Sequence, residues 1–540
     1  MKYFKKNIPI YISLLLTAVF IISVYFQLDE AEMRMFINSD TLYLPSFFRD
    51  LFYDKSRNVE WFTPAATCFF PDLILFFTVH LFTCNFIKAM FFTGLLMNIL
   101  LIMAFYLLIK ESLIKITPLY ISIGINLLLL FHFATLYAGD YIFSFYLTIT
   151  NYHLGAYIAS LFCLYYAVRY LKTSKPGNLA VMVLLYTFTI SSDFLTVVYL
   201  TIPLLSSIIL FFKRKYRMQS SFILLSNILG FTFGFLFYRV LTLSKALNIM
   251  DASYLTFNFK NIAKSYAIMF EHHFLFLKTM DVRAFIFVLC IISFTISVVI
   301  LIKKLIKFFR TDNIEKNEIP ELVYLLFIVT QVIALYNAPA INGVYLARSL
   351  LRYNVYVFFI TMLNYGYLFY KLSMYEKFRR YVYIISTVVL IFFSYMGLRE
   401  IFRVNFKEGA QKLFGYYPDY VRNIDEICLK FDLKYGLAGY WQARRTSMLS
   451  KQDVRIYQTY FNLRPYPHVV NYNWYFGTKD GKKPPPVFQF VIPDELTDSI
   501  VYQKLDKHII DTINRPDVTM IVTDPFIIDR ETKNLIFIDQ

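Results

Sequence analysis

The sequence predicts a polytopic α-helical membrane protein with about eleven spans and a small α/β domain at its C-terminus. Three observations carry this expectation. Hydrophobic residues fill 58% of the 540 positions and charged residues only 17%, a balance too apolar for a soluble chain of this length. Apolar runs of about twenty residues, the length that crosses a hydrocarbon core, recur from the N-terminus to about residue 398. Beyond that point charges, turn formers and alternating apolar residues return.

The first run, MKYFKKNIPIYISLLLTAVFIISVYFQ, has the basic start and apolar core of a signal peptide. It is nearly a full span long and no small-residue cleavage site follows, so it reads as an uncleaved signal anchor. Spans are expected near 8–27, 86–109, 118–138, 152–171, 178–191, 194–212, 221–241, 283–303, 321–339, 353–371 and 380–398. The run from Leu179 to Phe212 fits one span or two. One helix would measure about 50 Å against a core of about 30 Å. It would also put Arg169, Lys172 and Lys175 on the opposite side from the cations of 213–217. Two short helices hinged at Ser191, Ser192 and Asp193 remove both problems.

With that hinge the cation clusters share one face: Lys2 to Lys6, Lys110 and Lys115, Lys213 to Arg217, Lys303 to Arg310, and Lys371 to Arg380. The positive-inside bias then makes the N-terminus cytoplasmic and the tail extracytoplasmic. The net charge of +17 therefore reports topology and carries no nucleic-acid signal. None of the five cysteines fits a metal spacing. Cys68 and Cys428 would pair only if both faced an oxidising side, and no disulfide is expected. Two regions follow: a membrane domain over 1–398, with a long outer loop at 28–85, and a tail over 399–540. In the tail, 417–433 and 496–513 have helical periodicity, and VFQFVIP, VTMIVTD and NLIFID read as strands, the last two joined by a turn through Arg530 to Lys533.

Acids, histidines and arginines gather on the outer face. In FINSDTLYLPSFFRDLF, Ile37, Leu44, Phe47, Phe48 and Leu51 fall on one side of a helical segment. Such a segment would lie along the membrane surface and hold Asp40 at the water–lipid boundary. Ser39 or Asp40 equally fits a helix cap, as does Asp72 at the head of a short apolar stretch. Asp29, Glu30 and Glu32 read as a solvated rim, and Arg49 and Asp50 as a pair or as solvent-facing groups. Asp193 belongs either to a polar hinge or to a functional site, because a charge at membrane depth is costly. Asp140 and His153 flank the second outer loop, where a histidine also serves as an interfacial anchor. Glu271, His272 and His273 make a weak metal signal, since adjacent helical side chains point about 100° apart. No metal site is expected from them.

Arg348 and Arg352 stand four apart at an outer span edge, the side where topology disfavours positive charge. Paired guanidinium groups suit a lipid phosphate, and snorkelling anchors are the plainer alternative. No P-loop, Rossmann glycine pattern or zincin motif is present.

The signal anchor, the long outer loop with an early aspartate on a juxtamembrane helix, about eleven spans, Arg352-Tyr353 at a loop edge and the outward tail together resemble the glycosyltransferase C superfamily. NSDTLYLPSFFRDLF, FFPD and SDFLTVVYLTIPLL are similar to segments of bacterial membrane proteins of that type. The resemblance covers roughly 1–398 and not the tail. It implies an enzyme of the bacterial inner membrane that moves a sugar, with inversion, from a polyprenyl-phosphate carrier to an extracytoplasmic glycan or glycolipid. By position, Asp40 takes the role of general base. Arg352 and Tyr353, helped by Arg348, take that of donor-phosphate site. Members of the family often have the aspartate closer to the first span, and Asp40 lies about a dozen residues beyond it, which leaves Asp29 or Glu30 as a second choice. Asp72, Asp140, His153, Asp193, Glu271 and His272 are candidate second acids or substrate contacts. Trp441, Arg444 and Trp474 are candidate acceptor contacts, against the plainer reading of a domain core. Some members use a divalent cation and many do not, so that ion is the one candidate cofactor.

Two competing classes remain open at this point. A transporter or flippase for a lipid-linked glycan would want the same arginines and aromatic walls, but it should also show inverted repeats and broken helices with charges near the midplane, and neither is clear in the sequence. A polymerase or ligase of surface polysaccharide would share the carrier and the compartment.

Overall fold

The computed structural model describes residues 2–54, 60–64, 66–113, 116–137, 153–244, 248–249, 258–278, 280–311, 318–347, 352–479, 481–494, 496 and 498–538. Among these, seven helices are long and apolar enough to cross a membrane: Asn7–Phe26, Phe86–Ser112, Leu154–Thr173, Arg214–Leu243, Val282–Arg310, Glu318–Ile341 and Glu376–Arg403. Shorter apolar helices, Phe69–Thr83, Pro118–His132, Pro176–Ser192 and Val197–Phe212, run among them. The chain is a polytopic helical membrane protein.

The stretch from 179 to 212 is two arms. Helix Pro176–Ser192 stops at Asp193, whose backbone is extended, and an irregular helix returns over Val197–Phe212. Their opposite directions are fixed by helix Arg214–Leu243. Ser220 Oγ donates to Ser207 O (2.7 Å) and Asn227 Nδ2 to Thr201 O (3.4 Å), so the second arm descends as that helix rises. Gly230 meets Tyr186 and Gly234 meets Ile190, so the first arm rises beside it.

The segment expected to span at 353–371 is broken. Helices Val355–Leu363 and Tyr365–Ser373 meet at Asn364. That side chain accepts from the Tyr324 hydroxyl (2.7 Å) and donates to Ser297 Oγ (2.8 Å), polar bonds that a buried amide needs in an apolar surround. At the cationic end of the bundle Glu321 accepts from Lys304 (2.8 Å), Lys371 (2.9 Å) and the Tyr367 hydroxyl (2.8 Å). Three helices are thereby tied at the face where the lysines gather.

The opposite end carries the first loop and the tail. The loop holds helix Glu30–Phe36, helix Tyr43–Phe52 and strand β1, Trp61–Thr63. Later strands are β2 (Asn248–Ile249), β3 (Tyr435–Ala438), β4 (Arg455–Gln458), β5 (Val470–Asn471), β6 (Phe488–Ile492), β7 (Ile509–Arg515), β8 (Val518–Ile528) and β9 (Leu535–Phe537). β3, β4 and β6 are mutually parallel in the order β4-β3-β6. β8 joins β6 antiparallel and pairs along its other edge with β7 and β9. The three expected strands appear as β6, β8 and β9, and the helix expected at 417–433 as Asp419–Phe431.

The helix expected over 496–513 is a correction. It ends at Leu505, and 509–515 instead forms β7, where Ile509, Ile513 and their neighbours ladder onto β8. Sheet pairing overrides the local helical period there. A second, small sheet has the order β2-β1-β5. It joins the first loop, a later loop and the tail, three segments far apart in the chain.

Candidate functional site

Asp72, His153, Asp193 and Tyr353, with Arg352 beside it, converge at the loop end of the bundle. The Asp193 backbone N–H ends its helix by donating to Thr189 O (2.8 Å), and its Oδ1 accepts from Leu195 N–H (2.9 Å). The second oxygen is thereby aimed at helix Leu154–Thr173, which begins at His153. His153 Nδ1 lies 2.6 Å from Asp193 Oδ2. The carboxylate fixes the ring and leaves Nε2 directed elsewhere, the arrangement by which an acid orients an imidazole for proton transfer.

The backbone around the pair is strained. His153 (φ 67°) and Cys68 (φ 51°) both occupy the left-handed region, which costs a non-glycine residue about 1–3 kcal/mol and clusters at functional sites. The two meet: the His153 amide faces the Cys68 thiol. Segment 66–73 is pinned to the hinge, with Thr67 N–H donating to Ser192 O (2.9 Å) and Phe70 N–H to Ser192 Oγ (3.0 Å). This places Asp72 against Gly155, where any Cβ would collide with its carboxylate. Asp72 and Asp193 are 2% and 3% exposed, and both stand within electrostatic reach of the Cys68 thiol. The Tyr353 ring stands 6.4 Å from that of His153, and the Arg352 guanidinium lies 5.3 Å from the Tyr353 ring. Below, Tyr157, Tyr199 and Tyr356 pack ring on ring.

Asp40 sits in a separate place, the seam between the first loop and the tail. It does not cap the helix that follows: the cap position is Leu42, with no side-chain bond. Its carboxylate instead accepts from the Tyr440 hydroxyl of the tail, and the neighbouring Ser39 Oγ donates to Tyr440 O (2.8 Å). Tyr466 and His468 stand within electrostatic reach. Burial and the Arg444 guanidinium push His468 down, with Asp40 opposing. Tyr43 links seam to bundle, its hydroxyl donating to Thr67 O (3.1 Å).

Several expectations are corrected. The helix carrying Asp40's segment does not lie bare on the membrane surface, because the tail covers it. Arg49 and Asp50 neither pair nor face solvent. Arg49 binds Ser447 O and Asp453 (both 2.7 Å). Asp50, 1% exposed, accepts from Asn471 Nδ2 (2.7 Å) and Trp474 Nε1 (2.9 Å). Burial, against those two bonds, raises its carboxyl to about 6.

Trp474 is thus a seam residue, stacked on Tyr457. Arg444 is a buried tie, donating to Ser39 O (2.7 Å) and Val469 O. Both line a small cavity within the seam, together with Asp50 and Tyr457, whereas Trp441 is 48% exposed. The solvated rim is also in use: Asp29 and Glu32 form a reciprocal capping box, and Glu30 accepts from the Tyr416 hydroxyl (2.8 Å).

Glu271 is exposed, and His272 Nδ1 is 3.4 Å from the Tyr345 hydroxyl. His273 turns inward onto Met269 O. Asp140 and Arg348 lie outside the described residues. No two of the five cysteines are joined in a disulfide. Among the described residues no three His, Cys, Asp or Glu side chains are grouped to hold a metal ion. The sequence named each member of the bundle cluster but had no signal for the pairing, since His153 and Asp193 are forty positions apart. Tyr440 as the partner of Asp40, 400 positions away, was missed altogether.

No protein-family model matches the chain, and no curated protein matches it.

Proposed function

We propose that the chain is an integral membrane glycosyltransferase of the glycosyltransferase C type. It transfers a sugar with inversion from a polyprenyl-phosphate carrier to an extracytoplasmic glycan or glycolipid. In this reading about eleven segments span the bacterial inner membrane: the seven long helices, Pro118–Tyr137, the two hinged arms and the broken pair of 355–373. The lysine face is cytoplasmic and the tail extracytoplasmic.

The observation that carries the reading is the placement of Asp40. It is half-buried, released from helix capping, framed by a water-facing domain, and linked through Tyr43 and Thr67 to the bundle mouth of His153, Tyr353 and Arg352. A lipid-borne donor and a water-borne acceptor would meet between these two places. Asp40 takes the proton of the acceptor hydroxyl as that oxygen attacks the anomeric carbon. The bond from that carbon to the phosphate oxygen breaks, and its electron pair stays on the lipid phosphate. Arg352 and Tyr353 stabilise the charge that develops there. A positioned carboxylate contributes about 10²–10⁴ in rate.

The interrupted helices at Asp193 and Asn364 favour one second reading, a carrier for the same lipid-linked glycan. The test is sugar transfer from a radiolabelled polyprenyl-phosphate donor pool by membranes containing wild type or Asp40→Asn at matched expression. Loss of transfer in the variant supports the base and rules against a pure carrier. Full activity in the variant removes Asp40 from the mechanism. Absence of transfer by wild type across several donors moves the assignment to the carrier.

A further inference from the structure

Around Asp40 the tail assembles an aromatic surface from three separate stretches of chain. Tyr440 lies 4.9 Å from Trp441, 6.0 Å from Tyr466 and 5.3 Å from His468, ring centre to ring centre. Tyr466 in turn lies 4.7 Å from Tyr460. The inner members are half-buried and bonded into the seam. The outer ones are open: Trp441 is 48% and Tyr460 37% exposed. A domain core would bury its largest rings, as this tail does with Tyr475 and Phe490 at 0%. Here the rings run from solvent inward and end at a carboxylate, a phenol and an imidazole.

That sequence of groups matches one ligand class. A sugar offers apolar C–H faces that stack on aromatic rings and hydroxyl edges that bond to Asp, Tyr and His. A lipid surface would want exposed cations and an apolar crown, whereas the charges here lie at the inner end of the patch, where the Arg444 guanidinium stands beside Tyr440 and opposes the Asp40 carboxylate at His468. We propose that Trp441, Tyr460, Tyr466 and His468 form the acceptor subsite. It binds a glycan chain of several uncharged sugar units, whose innermost hydroxyl is delivered to Asp40. The proposal rests on the transferase reading for its role, but the binding it asserts requires no donor and no turnover.

The chain has three tryptophans, and only Trp441 is on this surface. Trp61 is 0% exposed and Trp474 is held by Asp50. Intrinsic fluorescence of the purified full chain is therefore titrated with maltohexaose, cellohexaose, chitohexaose and mannohexaose. At least one is expected to give a saturable change that Trp441→Phe abolishes. Calorimetry on the same sugar should show Trp441→Ala and Tyr460→Ala binding about tenfold more weakly, the loss of about 1.4 kcal/mol that one ring contact supplies.

No response to any of the four sugars, or a response that survives Trp441→Phe, overturns the subsite. So does transfer by Trp441→Ala and Tyr460→Ala with unchanged KM for acceptor. Binding without any transfer by wild type would leave the subsite standing and remove the transferase reading instead.

Discussion

His153 Nδ1 lies 2.6 Å from Asp193 Oδ2, so the start of one membrane helix is locked to the end of another by a buried carboxylate. Removing the imidazole leaves the buried Asp193 Oδ2 without this partner while Oδ1 keeps its bond from Leu195 N–H, a loss that costs about 1–3 kcal/mol. His153→Ala should therefore lower the thermal stability of the purified protein sharply, and Asp193→Asn should recover much of the loss, the two changes being strongly non-additive. Because His153 sits at φ 67°, His153→Gly should be milder than His153→Ala by about 1 kcal/mol. Equal losses for the two would mean that the left-handed backbone is not a constraint.

Asp50 makes the seam between first loop and tail sensitive to pH. Its carboxyl is raised to about 6 in the closed seam by burial, against about 3.9 when solvated. The closed form thus holds more protons than the open form between these values. The stabilisation from this group is complete below about 4 and is lost as pH rises through 6. Asp50→Asn should keep the seam closed at pH 8 by about 1–3 kcal/mol relative to wild type, with the difference vanishing at pH 4. Hydrogen exchange of residues 470–476 reads this directly, and an advantage that does not change with pH would contradict it.

Arg444 ties the first loop to the tail. It is 3% exposed and holds Ser39 O and Val469 O together. Arg444→Met should cost about 2–4 kcal/mol by leaving two buried carbonyls unsatisfied. Arg444→Lys should recover only part of this, because an ammonium lacks the planar fork. Limited proteolysis across 460–470 would expose the opening. A Met variant as resistant as wild type would return Arg444 to the list of acceptor contacts.

Gly155 is required by close approach. Any Cβ there meets the Asp72 carboxylate, so Gly155→Ala must displace a buried acid, costing about 1–3 kcal/mol. The accompanying expectation is loss of sugar transfer greater than the loss of folded protein, measured as activity per folded molecule on gel filtration. Proportional losses would make Asp72 a packing residue only.

Much of the architecture is legible one residue at a time, because a bilayer imposes length and polarity locally. Apolar runs of span length, cations at their ends and the awkward 34 residues from Leu179 to Phe212 suffice to call for a hinge, and the chain does turn at Asp193. The same holds for β6, β8 and β9, whose alternation is a local property. Segment 509–515 is the counterexample: its helical period is real, but its partner β8 is decided elsewhere.

By itself the sequence determined which residues would stand at the loop end of the bundle, since span boundaries set depth. It named Asp72, His153, Asp193 and Arg352 for that reason, while Asp40 came from the first outer loop and Tyr353 entered with Arg352 through the family resemblance. Only the tertiary structure decided which of them touch. The pairing of His153 with Asp193 depends on two helices packing side by side. The partnership of Asp40 with Tyr440, the burial of Asp50 and the conversion of Arg444 and Trp474 into seam residues depend on a tail folding back some 400 positions onto the first loop. Contacts at that separation leave no periodicity in the chain, because they are made by surfaces that exist only once both domains have folded.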